Sequence, residues 1–190
     1  MLNQYHSEKT INAAIFFMEN TQSCKKTKLL KLLYILDFEH YRQIGRTVTG
    51  LKYEAWEGGP VAPEVFTQFK TPSEDWKAHI EIAHDPAGFQ NAYSTWTPKP
   101  KTAFDPQFFS KRELALLREI ADRYRSATAT ALVNLCHNTP PWNLPWKEVW
   151  ENQNREDGEI SPDLFLMGTT DSEGVIDLAK EHEAMVRNYL

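Results

Sequence analysis

Cysteine is scarce: Cys24 and Cys136 are the only two in 190 residues, far apart and in no CxxC pattern. That excludes a disulfide framework and leaves free thiols in a reducing compartment as the reading. Long apolar runs are missing too, and no stretch approaches the ~20 residues that a membrane span requires. The residues from Met1 onward show no basic segment followed by an apolar one, so no signal peptide is visible and the cytoplasm is the expected location. Positive charge is not in excess: 21 Lys and Arg stand against 26 Asp and Glu, a net charge of −5. This balance argues against nucleic acid as the main partner, because the phosphate backbone calls for clustered Lys and Arg, although a local basic patch stays open. Internal repeats and low-complexity tracts are also absent.

The motifs of catalysis are missing as well. There is no GxSxG elbow, no GxxxxGK[ST] phosphate loop and no Cys–His pair in a known local signature. Gly58-Gly59 stands directly before Pro60, which lacks the N–H that an anion cradle would use. No enzyme activity and no cofactor are expected.

Against these absences stands an ordinary globular composition, 41% hydrophobic and 25% charged, which excludes a wholly disordered chain. The length fits one domain of the usual ~100–200 residues. Such a domain buries about two thirds of its unfolded surface and needs neither disulfide nor metal to fold. Aromatic residues reach 12%, and these carry large buried areas or anchor interfaces.

Periodicity predicts a mainly α (α+β) fold, a single-domain helical bundle with a small antiparallel β-element. Ile11, Ala14, Ile15 and Met18 recur at helical spacing over Glu8–Met18, with Ser7 as cap. A second helix is expected from Thr27, as N-cap, to Ile44. Leu29, Leu30, Leu32, Leu33, Ile35 and Leu36 make it apolar on most sides, as a central core helix is. Gly45 fits the left-handed residue that ends it. Thr47–Trp56 reads as extended, Gly58-Gly59-Pro60 as a turn, and Pro63 as the first position of a helix to Phe69. Residues 71–106 carry five prolines, so long helices are not expected there. Two strands, Ile80–Ala83 and Ala92–Thr97, are. Ser110-Lys111-Arg112-Glu113 forms a capping box ahead of the stripe Leu114, Leu117, Ile120, Ala121 and Tyr124. Further helices are expected at Thr128–Cys136 and from Ser161, as cap, to Met167. A last amphipathic helix, Ser172–Leu190, carries the stripe Val175, Leu178, Ala179, His182, Met185, Val186 and Tyr189. Residues 1–168 make the domain and 169–190 the helix appended to it.

Few groups could carry chemistry. Asp37 and His40 lie three apart on the second helix and could face one ion, but a metal site needs three or four converging ligands. The plainer reading of Asp37, Glu39 and His40 is a polar helix edge. His182-Glu183 opens like HExxH, but no second histidine follows. Lys25, Lys26, Lys28 and Lys31 read as a solvated face, or as a docking point for an acidic partner or nucleic acid. Trp142, Trp146 and Trp150 recur every fourth residue and so share a face where the segment is helical, either as core or as a binding hot spot. His137 sits at a helix end, where a histidine is usually hydrogen-bonded. Trp56, beside the turn, is expected to lock the extended segment to the third helix.

Several runs together resemble a known family. Lys28-Leu29-Leu30-Lys31-Leu32-Leu33-Tyr34, then Asp37-Phe38-Glu39-His40-Tyr41, then Gly45–Leu51, are similar to the first half of the Panacea domain. Glu54-Ala55-Trp56-Glu57-Gly58-Gly59-Pro60-Val61-Ala62-Pro63-Glu64 resembles its most diagnostic run. Leu135-Cys136-His137 with Pro141-Trp142 resembles a later pair of motifs in which Ser usually stands at the Cys136 position. Ile160-Ser161-Pro162 resembles the opening of the final short helix. The resemblance implies a SocA-like antitoxin, associated with phages and prophages, that neutralises a cognate toxin by direct binding or delivers it to a Clp-type protease as an adaptor. A phage protein acting on a host target is the alternative. It implies no enzyme. Asp37, His40, Tyr41, Trp56, Pro60, His137, Trp142 and Trp146 are the candidate partner-binding residues, and the terminal helix is a candidate for partner choice or a homodimer. An enzyme built on Asp37, His40 and His137 would need those side chains within hydrogen-bond reach of one another.

Overall fold

The computed structural model describes residues 2–84, 96–152, 158–169 and 172–189. The described chain is mainly α with a small β-element, as the periodicity predicts. In order it runs α1 (Leu2–Asn20), α2 (Lys26–Ile44), β1 (Tyr53–Trp56), β2 (Gly59–Val61), α3 (Pro63–Gln68), α4 (Glu74–His79), β3 (Ile80–His84) and β4 (Trp96–Pro100). It continues with α5 (Lys111–Arg123), α6 (Ala129–Asn138), α7 (Leu144–Asn152), β5 (Gly158–Ile160) and α8 (Ser172–Tyr189). Short 3-10 turns lie at Pro106–Phe108 and Pro162–Leu166. No helix among the described residues is long and apolar enough to cross a membrane.

The axis of the fold is α2. Thirteen of its 19 residues are buried, because α1, α5, α6, α8 and the 162–166 turn all pack around it. A helix apolar on most sides finds cover only in such a position. Gly45 ends α2 at φ 68° with its N–H on the Tyr41 carbonyl, the left-handed cap expected there. A Cβ at Gly45 would lie 2.7 Å from backbone atoms of Val175 and Ala179, so α8 crosses the C-terminal end of α2 at a point that only glycine allows.

The first helix starts earlier than expected: α1 runs from Leu2, so Ser7 lies inside it and does not cap it. Two further boundaries shift for local reasons. Thr27 does not cap α2. Lys25 is the N-cap, without a side-chain bond, because the Leu29 N–H already reaches the Lys25 carbonyl at 2.9 Å and puts Thr27 inside the first turn. Ser161 likewise gives no side-chain cap. Its carbonyl accepts the Leu164 N–H instead, closing a 3-10 turn rather than an α-helix. The capping box at Ser110 and Glu113 is present in both directions.

β1 is the centre of a three-stranded antiparallel sheet ordered β2-β1-β5. Gly59 and Pro60 pair with Trp56 and Ala55, so the reversal is made by Glu57 and Gly58, and the expected Gly58-Gly59-Pro60 turn is corrected. Pro60 is tolerated because β2 is an edge. β3 and β4 form a separate hairpin in which Ile80 opposes Pro100. The second expected strand therefore extends beyond Thr97, while residues 92–95 lie outside the described ones. The proline-rich third also holds α4. Ser73 caps it through Trp76 N–H, Glu74 and Asp75 occupy its first turn, and Trp76 anchors it in the core.

Along α8, Ala179 is buried and Val175 and Ile176 pack on the core, but Leu178 is 47% exposed. The expected stripe is thus broken at Leu178. The side chains of Met185, Val186 and Tyr189 lie outside the described residues.

Candidate protein-binding surface

The polar residues of α2 turn inward. Asp37 is fully buried and accepts hydrogen bonds from Val48 N–H (2.7 Å), Thr49 N–H (2.9 Å), the Thr49 hydroxyl and the Tyr53 hydroxyl (2.8 Å). Burial pushes its carboxyl above the usual range, and these four donors pull it back. His40 donates Nδ1–H to the Arg46 carbonyl at 2.7 Å. Burial lowers its pKa, so the ring is neutral at pH 7. The Tyr41 hydroxyl reaches Asp163 at 2.9 Å. The expectation of a polar helix edge at Asp37 and His40 is corrected: these groups staple α2 to the 46–53 segment. A buried acceptor with four donors is satisfied there, and a solvated edge is not needed.

Two of the four clustered lysines turn inward as well, against the expectation of a solvated face. Lys28 and Lys31 are 1% and 2% exposed. Lys28 Nζ donates to the Gln22 and Arg125 carbonyls. Lys31 Nζ donates to the Pro60 carbonyl at 2.8 Å, and burial lowers its pKa to about 8. A Cβ at Gly59, whose φ is +89°, would lie 2.9 Å from both Lys31 Nζ and the His137 ring. Gly59 therefore lets α2, β2 and α6 meet. Cys136 lines the same spot, its thiol pushed up to about 12 by burial.

Outside this interior lies a band of half-buried aromatic rings drawn from distant parts of the chain. Phe66 of α3 meets Trp56 of β1 edge to face at 4.9 Å, so Trp56 does join the extended segment to the third helix. The Trp56 carbonyl accepts the Trp146 indole N–H at 2.8 Å. Trp146 of α7 stacks on His137 of α6 at 4.0 Å and on Trp150 at 5.8 Å. The fourfold tryptophan spacing brings Trp146 and Trp150 together on α7. Trp142 precedes that helix and donates instead to Glu39 (3.3 Å), which also holds Arg123 at 2.7 Å. Burial, then the charge of Lys31, lowers the His137 pKa.

Of the eight candidate residues, Trp56, His137, Trp142 and Trp146 are thus half-buried. Asp37, His40, Tyr41 and Pro60 are interior, so a role for them in partner contact would run through the surface they hold in place. Among the described residues no hydrogen bond joins any two of Asp37, His40 and His137, and no three metal-ligating side chains converge. Reasoning from the sequence missed Phe66, which joins the band. Its position four residues after Ala62 on a short helix gave no signal of the cross-chain contact with Trp56.

No curated protein and no solved structure matches the chain significantly. A family model does: residues 29–143, more than half of the chain, match the antitoxin SocA-like, Panacea domain. That span holds Lys31, Asp37 and the Trp56–Phe66 end of the aromatic band, and the chain belongs to the antitoxin SocA-like, Panacea domain family.

Proposed function

We propose that this protein is an antitoxin that neutralises a cognate protein toxin by direct binding, with the aromatic band as its contact face. The observation that carries this reading is the band itself. Phe66, Trp56, Trp146, His137 and Trp150 form a run of touching, half-buried groups along the edge of the core. Preorganised Trp and Tyr anchors carry most of the energy at protein interfaces, because large rings are buried with little loss of rotamer freedom. The chemistry-bearing residues of α2 support it from the other side, since Asp37 and Lys31 are engaged in holding the segments that bear Trp56.

The test is co-expression with the adjoining gene. That gene alone should arrest growth, and this chain should restore it. Trp146→Ala should lose protection while remaining folded. A harmless neighbour, or one whose toxicity this chain leaves unchanged, overturns the reading and favours a host target. Toxin lifetime in cells with and without a Clp-type protease separates an adaptor from a simple inhibitor.

A further inference from the structure

One end of the aromatic band carries positive charge that no ion pair among the described residues neutralises. Lys26 Nζ lies 3.7 Å from the centroid of the Phe66 ring, and Lys70 Nζ lies 5.7 Å from the same centroid. Lys26 is also 6.0 Å from the Phe69 ring. Each is a cation–π contact, in which the ring's negative face holds an ammonium in place. Both charges therefore sit within about one Debye length of each other at physiological salt. Neither lysine, nor Lys25 beside them, forms an ion pair among the described residues. Burial, then the charge of Lys70, lowers the Lys26 pKa, so the pair repels within the fold. The first turn of α2 holds no acidic residue, and the positive end of its dipole adds to the same field. The two other lysines of the cluster differ sharply, since Lys28 and Lys31 end on backbone carbonyls.

We propose that Lys26 and Lys70, splinted on Phe66 at the edge of the aromatic band, form the part of the toxin-binding face that recognises carboxylates of an acidic partner surface. This deepens the proposed antitoxin function and rests on it for the identity of the partner. A carboxylate placed between the two ammonium groups would relieve their repulsion and form charge-assisted hydrogen bonds with both. The ring beneath them limits the side-chain freedom lost on binding. The patch favours protein over nucleic acid. It consists of two lysines beside one ring, on a chain with net charge −5.

The experiment titrates the full chain with a capped octaglutamate peptide at low salt, following the Trp56 indole N–H resonance, with a single-stranded oligonucleotide of equal charge as the competing probe. Saturable, salt-sensitive peptide binding that moves Trp56 is expected. Lys26→Gln/Lys70→Gln should weaken it about tenfold or more while the melting temperature holds. Phe66→Leu, which keeps both charges but removes the ring that splints them, should weaken it by a smaller factor. Peptide binding that is undiminished in the double variant, absent altogether, or weaker than oligonucleotide binding in a patch-dependent way overturns the proposal. If octaglutamate binds as stated but the adjoining gene encodes no toxin, the patch stands and the antitoxin function falls. If the adjoining gene is toxic and the double variant protects as well as wild type, the patch falls alone, whatever its peptide binding.

Discussion

The interior of α2 and the rim formed by α7 reverse the usual placement of residue types. On α2 an aspartate, two lysines and a histidine lie at or below 2% exposure. On α7 Trp146 and Trp150 are only partly buried. Hydrophobicity ranks these residues in the opposite order. The difference lies in partners. Asp37 has four donors and Lys28 two carbonyls, so each is bonded within the fold. Trp146 has one polar atom, bonded to the Trp56 carbonyl, and its faces are shared between His137 and Trp150. The interior polar groups fix the backbone, and the rim rings pack on one another and on the edge of the core.

This contrast can be broken at its strongest point by Asp37→Ala. The change leaves four donors around a cavity and should destabilise the fold by about 3–5 kcal/mol, read from chemical denaturation. A loss below about 1 kcal/mol would show that water replaces the carboxylate and that the interior is not specified by it. Trp146→Ala comes next. A half-buried ring whose N–H reaches a backbone carbonyl should contribute about 2 kcal/mol. Partner binding should fall much further than stability does, and parallel losses in both would return Trp146 to the core.

Lys31→Met sharpens the comparison through pH. The Lys31 pKa falls from 10.5 in the unfolded chain to about 8 in the fold. Between these values the unfolded state binds more protons, so the stability contributed by this group rises as pH increases from about 8 to 10.5. Buried Cys136 acts in the reverse sense above pH 9, since its thiol stays protonated in the fold to about 12. The difference between wild type and Lys31→Met cancels most of the cysteine effect. Wild type should therefore gain on the variant across that window, and a flat difference would mean that Lys31 keeps its charge in the fold. The smallest effect belongs to Leu178→Ser on α8. At 47% exposure it should change stability by no more than about 0.5 kcal/mol, and a larger loss would place a partner or a second copy on that helix.

The helices were legible where local chemistry is sufficient. The leucine-rich run of α2, Gly45 at its end and the Ser110–Glu113 box need only their own neighbours to take shape. α4 was not legible, because a six-residue helix between prolines is too short to show a period, and Ser73 alone marked it. The inward lysines were not legible either. Charge argues for the surface, and the carbonyls that receive Lys28 and Lys31 come from Arg125 and Pro60, 97 and 29 residues away. The aromatic band was visible as separate tryptophans, while Phe66 and the contact between Trp56 and Trp146 were not.

Composition and periodicity alone settle a mainly helical domain with α2 at its centre, because apolar spacing and caps act within a few residues of one another. Which charges are inside and which rings are shared is settled only when α2, β2, α6 and α7 meet. Hydrogen-bond partners and ring contacts between distant residues carry no trace in local sequence. Lys26 and Lys31 illustrate it: they lie five positions apart on one helix, and one rests on a half-buried ring while the other ends on a buried carbonyl.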